Sequence, residues 1–308
     1  MKIAPLIGFP GRKLTSTTIK QNLQNDTVQL KTLLAIEEKF HTDIIFYFMD
    51  LSVESEALGL KIDFPEDEAP SVIEHPVRDL ETFTQFEQLS FNELFNHSRM
   101  KVFTKVTENF KRESSTELGA YVIGPFSLAA LLMDPISATI SVLDNTGLIK
   151  RVLEFSTYII QEYAKKLEGA GADYIVILEP TGVMLSPKHF EQFTGAYITK
   201  IAEKLTKPAI LHVCGNTTHL FEEFKKLDSV YALSLDSDID LREAYNKTQK
   251  MVIGNINPVT VASASKEKIT SEINSLTKKM EGISDFILST GCDLPPETPI
   301  ENISLFFD

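Results

Sequence analysis

Asp173-Tyr174-Ile175-Val176-Ile177-Leu178-Glu179 is an almost continuously apolar run that lies between two segments with helical periodicity. Before this run, Lys150–Gly169 repeats apolar residues at three- and four-residue steps. After it, Pro187–Leu205 does the same, and Pro187 is well placed in a first helical turn. A second apolar run, Ala209–Gly215, follows directly. Short runs that are apolar throughout are typical of strands buried on both faces of a parallel sheet, so this region predicts alternating helices and strands.

The same alternation extends over the whole chain. Eight apolar runs predict strands, and they are Ile3–Phe9, Ile44–Asp50, Leu118–Gly124, Asp173–Glu179, Ala209–Gly215, Val230–Asp236, Met251–Asn257 and Phe286–Cys292. Eight successive pairs of strand and helix indicate the α/β class and a closed (β/α)8 TIM barrel. An open doubly wound sheet is the alternative fold.

The region between the second and third predicted strands departs from this simple alternation. Residues Leu58–Val77 include the acidic, proline-bearing stretch Pro65-Glu66-Asp67-Glu68-Ala69-Pro70, which predicts a surface hairpin. Residues Asp79–Arg112 predict two or more helices. Because no Gly/Ser linker, repeat or low-complexity tract divides the chain, we predict a single barrel domain over residues 1–308 with this N-terminal elaboration.

The composition argues against several classes of protein. The chain has 30 basic and 43 acidic residues and a net charge of -13, so it lacks the basic face that nucleic acid or anionic lipid requires. No apolar run approaches the ~20 residues of a membrane-spanning helix, and the first residues do not resemble a signal peptide. The only cysteines are Cys214 and Cys292, which excludes a disulfide scaffold. We therefore expect a cytoplasmic protein with neither a nucleic-acid nor a membrane partner.

Polar residues occur where the predicted strands end, and barrel enzymes carry their active sites at the carboxyl ends of strands. These residues are Asp50, Glu179, His212, Cys214, Asp236, Asn255, Asn257 and Cys292. His212 and Cys214 are two residues apart on one strand, so their side chains point to the same face. Cys292 ends the last predicted strand and would lie near them if the barrel closes.

One imidazole and two thiolates are ligands that zinc prefers, and three protein ligands leave the fourth position open, as in catalytic zinc sites. The sequence therefore predicts a zinc site formed by His212, Cys214 and Cys292. Asp236 ends the next strand and could close the site at rest, then yield to substrate. The alternatives are buried free cysteines with a structural histidine, or a disulfide between Cys214 and Cys292.

Two motifs around these residues are the most specific in the chain. They are Ile210-Leu211-His212-Val213-Cys214-Gly215-Asn216-Thr217 and Ser289-Thr290-Gly291-Cys292-Asp293-Leu294-Pro295-Pro296-Glu297-Thr298-Pro299-Ile300-Glu301-Asn302-Ile303. Both resemble the zinc motifs of the methylcobalamin:coenzyme M methyltransferases, a branch of the uroporphyrinogen decarboxylase superfamily. Residues 49–59, 179–182 and 185–187 also resemble superfamily segments that follow the second and fourth strands.

This resemblance implies a (β/α)8 barrel in which His212, Cys214 and Cys292 bind Zn²⁺. It implies a methyltransferase that moves a methyl group from methylcobalamin, or from a corrinoid carrier protein, to a zinc-activated small thiol such as coenzyme M. Together with Asp236, we expect the three ligands to serve catalysis. We expect the remaining strand-end residues to shape the substrate site, and these are Asp50, Glu179, Asn255 and Asn257.

The sequence also departs from the decarboxylases of this superfamily. Their N-terminal segment is rich in arginine and grips the carboxylates of a tetrapyrrole, whereas Gly8–Leu14 contains only Arg12. One arginine would leave most of that charge unpaired in a cleft. Asp50 does match the central acid of the decarboxylases, so tetrapyrrole decarboxylation is an alternative function. A non-catalytic zinc- or corrinoid-binding protein, with Asp236 as a permanent ligand, is another.

Coenzyme M as the acceptor follows from the resemblance alone, and homocysteine, another thiol or a non-thiol acceptor stays open.

Overall fold

The computed structural model describes all 308 residues and contains eight parallel strands arranged around a barrel, together with a separate two-stranded hairpin. The strands are β1 (Lys2–Ile3), β2 (Ile44–Phe46), β3 (Ile62–Asp63), β4 (Ser71–Val72), β5 (Glu117–Ile123), β6 (Tyr174–Leu178), β7 (Ala209–Val213), β8 (Val230–Leu235), β9 (Met251–Ile256) and β10 (Phe286–Thr290). The helices are α1 (Gly8–Gly11), α2 (Ile19–Gln24), α3 (Asp26–Phe40), α4 (Val53–Ala57), α5 (Leu80–Glu87), α6 (Phe91–Asn96), α7 (Met100–Glu113), α8 (Pro125–Met133), α9 (Pro135–Asp144), α10 (Thr146–Gly169), α11 (Pro187–Phe190), α12 (Ala196–Ala202), α13 (Phe221–Lys225), α14 (Leu241–Thr248), α15 (Pro258–Ser263), α16 (Lys266–Lys279) and α17 (Ile300–Ser304).

The two ends of the strand row meet, which closes the barrel. The strand order is β1-β10-β9-β8-β7-β6-β5-β2, and every pairing in this row is parallel. Between β1 and the start of β2, the Asp43 amide donates to the Ile3 carbonyl at 3.1 Å, and the Ile3 amide donates to the Asp43 carboxylate at 2.7 Å. The predicted (β/α)8 barrel is therefore confirmed, and the open doubly wound sheet is not the fold.

All eight predicted strands overlap observed strands, but the first two end early. The run Ile3–Phe9 was predicted as a strand, whereas β1 stops at Ile3 and Gly8 already begins α1. Four apolar residues of this run, Ala4, Leu6, Ile7 and Phe9, are nevertheless buried. Continuous apolar character indicates burial, which a turn packed into the core satisfies as well as a paired strand does.

The N-terminal elaboration has the predicted form. Within residues 58–77, β3 and β4 form an antiparallel hairpin in which Ile62 pairs with Val72. Three helices, α5 to α7, then precede β5. The helix predicted over Pro187–Leu205 is instead divided into α11, one π-helical turn at Glu191–Gly195, and α12.

Helices α8 and α9 form a bent pair beside the barrel. All residues of α8 except Leu131 are buried, and Asp134 begins α9 by accepting hydrogen bonds from the amides of Ile136 and Ser137. No single helix of the chain has the length and apolar composition that would span a membrane. Only α8 and α9 taken together reach that length and composition, and they are bent by 105° relative to each other.

Strand register brings the candidate residues to one end of the barrel. Leu178 on β6 is level with His212 on β7, which in turn is level with Ser234 on β8. Residues that follow these positions therefore leave the barrel at the same rim, the carboxyl-end rim where barrel enzymes carry their sites.

Candidate metal centre

His212, Cys214 and Cys292 converge at the carboxyl-end rim of the barrel. His212 lies on β7, Cys214 directly follows β7, and Cys292 follows β10. Cys214 Sγ lies 3.2 Å from His212 Nε2 and 3.5 Å from Cys292 Sγ, and Cys292 Sγ lies 3.7 Å from His212 Nε2. The structure thus brings together the three side chains that the sequence placed at strand ends.

These distances fit one tetrahedral zinc ion. With Zn–S of ~2.3 Å and Zn–N of ~2.0 Å, a tetrahedral site separates its ligand atoms by about 3.5–3.8 Å. The three observed separations lie close to this range. Cys214 and Cys292 are free thiols in this structure, and their Sγ–Sγ distance of 3.5 Å is longer than a disulfide bond.

Ser234 fixes the orientation of the His212 ring. His212 is buried, and its Nδ1 lies 2.9 Å from Ser234 Oγ on the neighbouring strand. With the proton assigned to Nδ1, His212 donates to the serine and its Nε2 lone pair faces the two sulfurs. The only sequence signal for Ser234 was a single serine within the largely apolar strand β8.

The two thiols require a cation if both are to be ionised. The hydrogen bond with Cys214, followed by burial, raises the pKa of the Cys292 thiol well above its ordinary value, while His212 acts in the opposite direction. Two adjacent thiolates would repel each other in this partly buried setting. A bound metal ion removes that penalty because it stabilises the deprotonated sulfurs.

Asp236 does not belong to the group of mutually close ligand atoms formed by His212, Cys214 and Cys292. Its carboxylate accepts hydrogen bonds from the Gly215 amide at 2.7 Å and from the Ser237 amide at 2.6 Å. Gly215 has φ of +80°, a conformation that suits glycine, and this turn directs its amide toward Asp236. Asp236 therefore orders the turn that follows Cys214 in this structure, and its role as a fourth ligand stays a prediction.

The two predicted asparagines bind backbone groups. Asn255 Nδ2 donates to the carbonyls of Asp236 and Ile239, at 2.9 and 2.8 Å. Asn257 Oδ1 accepts from the amides of Val259 and Thr260 and begins α15. These contacts hold the rim together, and contact of either asparagine with substrate remains a prediction.

Asp50 is held in a buried network that the sequence did not reveal. Arg99 binds the carboxylates of both Asp50 and Glu56, and Arg99 Nη2 also donates to Ser52 Oγ at 2.8 Å. The Arg99 guanidinium lies 4.7 Å from the centre of the Phe64 ring, which comes from the hairpin region. Asp50 is thus paired before any ligand binds.

Glu179 and Glu54 are fully buried carboxyl groups near the same rim. Glu179 accepts hydrogen bonds from the Phe126 amide and the Ser127 hydroxyl, and Glu54 accepts one from the Ile123 amide at 2.9 Å. Burial raises the pKa of each from 4.5 to about 7, although these hydrogen bonds act in the opposite direction. Both groups can therefore exchange a proton near neutral pH. Acidic residues in loops are most often solvated, so the sequence around Glu54 gave no clear signal that its carboxyl group is buried.

The replacement Glu179→Gln should change how stability depends on pH. The raised pKa, from 4.5 to about 7, means that the folded protein keeps a proton that the unfolded chain releases. The stabilising contribution of protonated Glu179 is fully present below the unfolded pKa and is lost as the pH rises through the folded pKa. Relative to the variant, the wild type should lose about 3 kcal/mol of unfolding free energy across this window. Urea denaturation at several pH values measures this difference, and identical pH profiles for the two proteins would contradict it.

Comparison with known proteins places these features in a family. Residues 12–308 match the family described as uroporphyrinogen decarboxylase (URO-D). A methylcobamide:CoM methyltransferase, MtbA of Methanosarcina acetivorans, is 27% identical over 282 residues, which are 88% of this chain and 81% of that protein. A uroporphyrinogen decarboxylase of Prochlorococcus marinus is 26% identical over 304 residues, which are 94% of this chain and 86% of that protein.

A solved structure supports the same fold. The chain is similar to a methyltransferase from Methanosarcina mazei with a TM-score of 0.87 and 23% identity, covering 99% of this chain and 92% of the other. The match of the family over residues 12–308 includes every residue of the metal centre. This chain therefore belongs to the uroporphyrinogen decarboxylase (URO-D) family.

Proposed function

We propose that this protein is a zinc-dependent methyltransferase that transfers a methyl group from a methylcorrinoid to the sulfur of a small thiol. The observation that carries the proposal is the convergence of His212 Nε2, Cys214 Sγ and Cys292 Sγ at the barrel rim. The similarity to a methylcobamide:CoM methyltransferase supports the choice of donor and acceptor. Soft sulfur ligands select zinc. Within the URO-D family, the cluster therefore favours zinc-dependent methyl transfer over decarboxylation.

The residues of the metal centre would have separate roles in this reaction. His212, Cys214 and Cys292 would hold the ion, and Ser234 keeps the His212 ring turned toward the sulfurs. A zinc ion held by these ligands would supply a Lewis acid that lowers the pKa of a thiol bound beside it. The negative charge of the two cysteine thiolates would offset the positive charge of the metal, so the acceptor sulfur would remain nucleophilic.

The position of the cluster suits a large methyl donor. Cys214 and Cys292 are partly exposed at the rim, whereas His212 beneath them is buried. A donor corrinoid, free or bound to a carrier protein, would approach from the open side of the barrel. In the transfer, the thiol loses its proton and gains the methyl group, and the corrinoid keeps the electron pair of its carbon–cobalt bond. We propose a corrinoid carrier protein as a partner on this basis.

A methyl-transfer assay tests the proposal directly. Purified protein is mixed with methylcobalamin and a small thiol, and loss of methylcobalamin absorbance is followed together with formation of the thioether. We expect turnover that stops after chelation and returns when zinc is added. Full turnover by protein shown to be free of metal would overturn the proposed role of zinc, and absence of turnover with every thiol and corrinoid donor would overturn the proposed reaction.

Tetrapyrrole decarboxylation is the competing function, favoured by the 26% identity to a uroporphyrinogen decarboxylase. Three ion pairs weigh against it. Asp50 is paired with Arg99, and Arg12 is bound to Asp67 and Glu297, so neither offers a free group to an octacarboxylate substrate. Conversion of uroporphyrinogen by chelated protein would favour this function over methyl transfer.

A further inference from the structure

The carboxyl end of strand β8 contacts two of the segments that carry metal ligands through side-chain hydrogen bonds, although none of the three ligands lies on β8. Ser234 Oγ lies 2.9 Å from His212 Nδ1. Two residues later, the Asp236 carboxylate accepts a hydrogen bond of 2.7 Å from the Gly215 amide, and Gly215 directly follows Cys214. The end of β8 thus holds His212 directly and Cys214 through the neighbouring amide.

The third ligand is reached through close packing at a glycine. Gly291 directly precedes Cys292 and packs against the peptide that joins Asp236 to Ser237. A Cβ atom added at Gly291 would lie 2.5 Å from the Ser237 nitrogen and 3.1 Å from the Asp236 carbonyl carbon. A separation of 2.5 Å is too short for any side chain, so only glycine lets the chain before Cys292 approach this closely.

The turn that follows β8 is itself fixed by Asn255 on β9. The paired residues of β8 and β9 end at Ser234 and Ile253, two residues before Asp236 and Asn255. Beyond that point, Asn255 Nδ2 donates to the Asp236 carbonyl at 2.9 Å and to the Ile239 carbonyl at 2.8 Å. A side-chain amide has two N–H donors, and both are used here on one turn.

We propose that the β8 end, residues 234–239, sets the separations of the three ligand atoms, and that Asn255 is a positioning residue for the metal centre. The inference rests on the metal centre of the proposed function. It goes beyond that function because it assigns a role to residues that would act on the ion only through its ligands.

Preformed separations matter because both cysteines lie in loops. Cys214 is the first residue after β7, and Cys292 is the second residue after β10. Any free energy spent on bringing the two sulfurs together would be subtracted from the free energy of metal binding. The β8 end contacts the residue next to each cysteine, so it can hold the Sγ–Sγ distance at 3.5 Å before an ion binds.

The replacement Asn255→Leu removes both donors and keeps most of the side-chain volume. Zinc affinity, measured by competition with a chromophoric chelator, should fall by about 10- to 100-fold, as for other groups that orient metal ligands. In cobalt-substituted protein, the thiolate-to-cobalt absorption should weaken because the two sulfurs no longer meet the ion at the same distances. Asn25→Leu is the matched control, since Asn25 is exposed and also makes two hydrogen bonds to backbone groups, at the start of α3. It should lower the midpoint of urea denaturation and leave zinc affinity and the cobalt spectrum unchanged.

The replacement Gly291→Ala tests the same contact from the other side. Its methyl group would press on the Ser237 nitrogen, so zinc affinity should again fall by about 10- to 100-fold. Gly147→Ala is the control, because no atom lies within 4 Å of a Cβ added there, and zinc affinity should not change. Circular dichroism identifies which variants are folded, and Gly291→Ala carries the test if Asn255→Leu does not fold.

Wild-type zinc affinity in folded Asn255→Leu or in folded Gly291→Ala protein would overturn the inference, as would equal weakening by Asn25→Leu. The proposed function fails in a different way. If the protein methylates thiols with zinc and both variants keep wild-type affinity, the role of the β8 end is wrong and the function stands. If both variants lose affinity and zinc-loaded wild type methylates no thiol, the β8 end has the proposed role and the reaction is wrong.

Discussion

Replacing Cys292 with serine should abolish stable zinc binding and lower methyl transfer to a thiol by about a hundredfold or more. Cys292 supplies one of only three converging ligand atoms, and its sulfur lies 3.5 Å from Cys214 and 3.7 Å from His212. A serine hydroxyl at the same place is a hard oxygen that stays protonated, so it cannot replace a thiolate on zinc. Metal analysis after dialysis, together with the methyl-transfer assay, measures both effects.

Two further variants make this experiment specific. His97→Ala changes an exposed histidine away from the cluster and should retain both zinc and activity. Ser234→Ala keeps all three ligands but removes the partner of His212 Nδ1, so metal affinity should fall by an intermediate factor of about 10 to 100. A Cys292→Ser protein with full zinc content and an unchanged transfer rate would contradict the assignment of the metal centre.

The barrel could be predicted from sequence because each strand has its own local signal. Ala209–Val213 and Tyr174–Leu178 are apolar throughout and flanked by helical segments, and both form strands close to the predicted bounds. The error at Ala4–Phe9 has a physical cause, since these residues are as apolar as a strand but pack as a turn and a short helix. Apolar character indicates which residues are buried, whereas strand pairing depends on the position of the neighbouring strand.

The metal cluster was predictable for a related reason. His212 and Cys214 share a face because of strand periodicity, and Cys292 joins them because the ends of parallel strands meet at one rim. Arg99 and Ser234 had no such signal. Each acts through a partner from a distant part of the chain, and that contact depends on the register and packing of the folded barrel, which no local pattern encodes.

The replacement Arg99→Met should lower the free energy of unfolding by about 3–5 kcal/mol. The side chains of Arg99 and Asp50 are only 7% and 1% exposed, so removal of the guanidinium leaves the Asp50 carboxylate buried without a counterion. Glu56 loses its cation as well, and Phe64 loses the guanidinium that lies over its ring. Methionine fills much of the same volume, so the loss reports on charge rather than on a cavity. Urea denaturation at neutral pH measures the change.

A matched pair on the surface separates burial from simple charge loss. Lys200 and Glu154 form an ion pair with both side chains about half exposed, and Lys200→Met should cost at most about 1 kcal/mol. Adding Asp50→Asn to Arg99→Met should recover part of the lost stability, because the amide needs no counterion. A loss below about 1 kcal/mol for Arg99→Met alone would show that solvent reaches Asp50, and Asp50 would then be free to meet a ligand. The size of this one effect therefore decides whether Asp50 supports the rim or belongs to the substrate site.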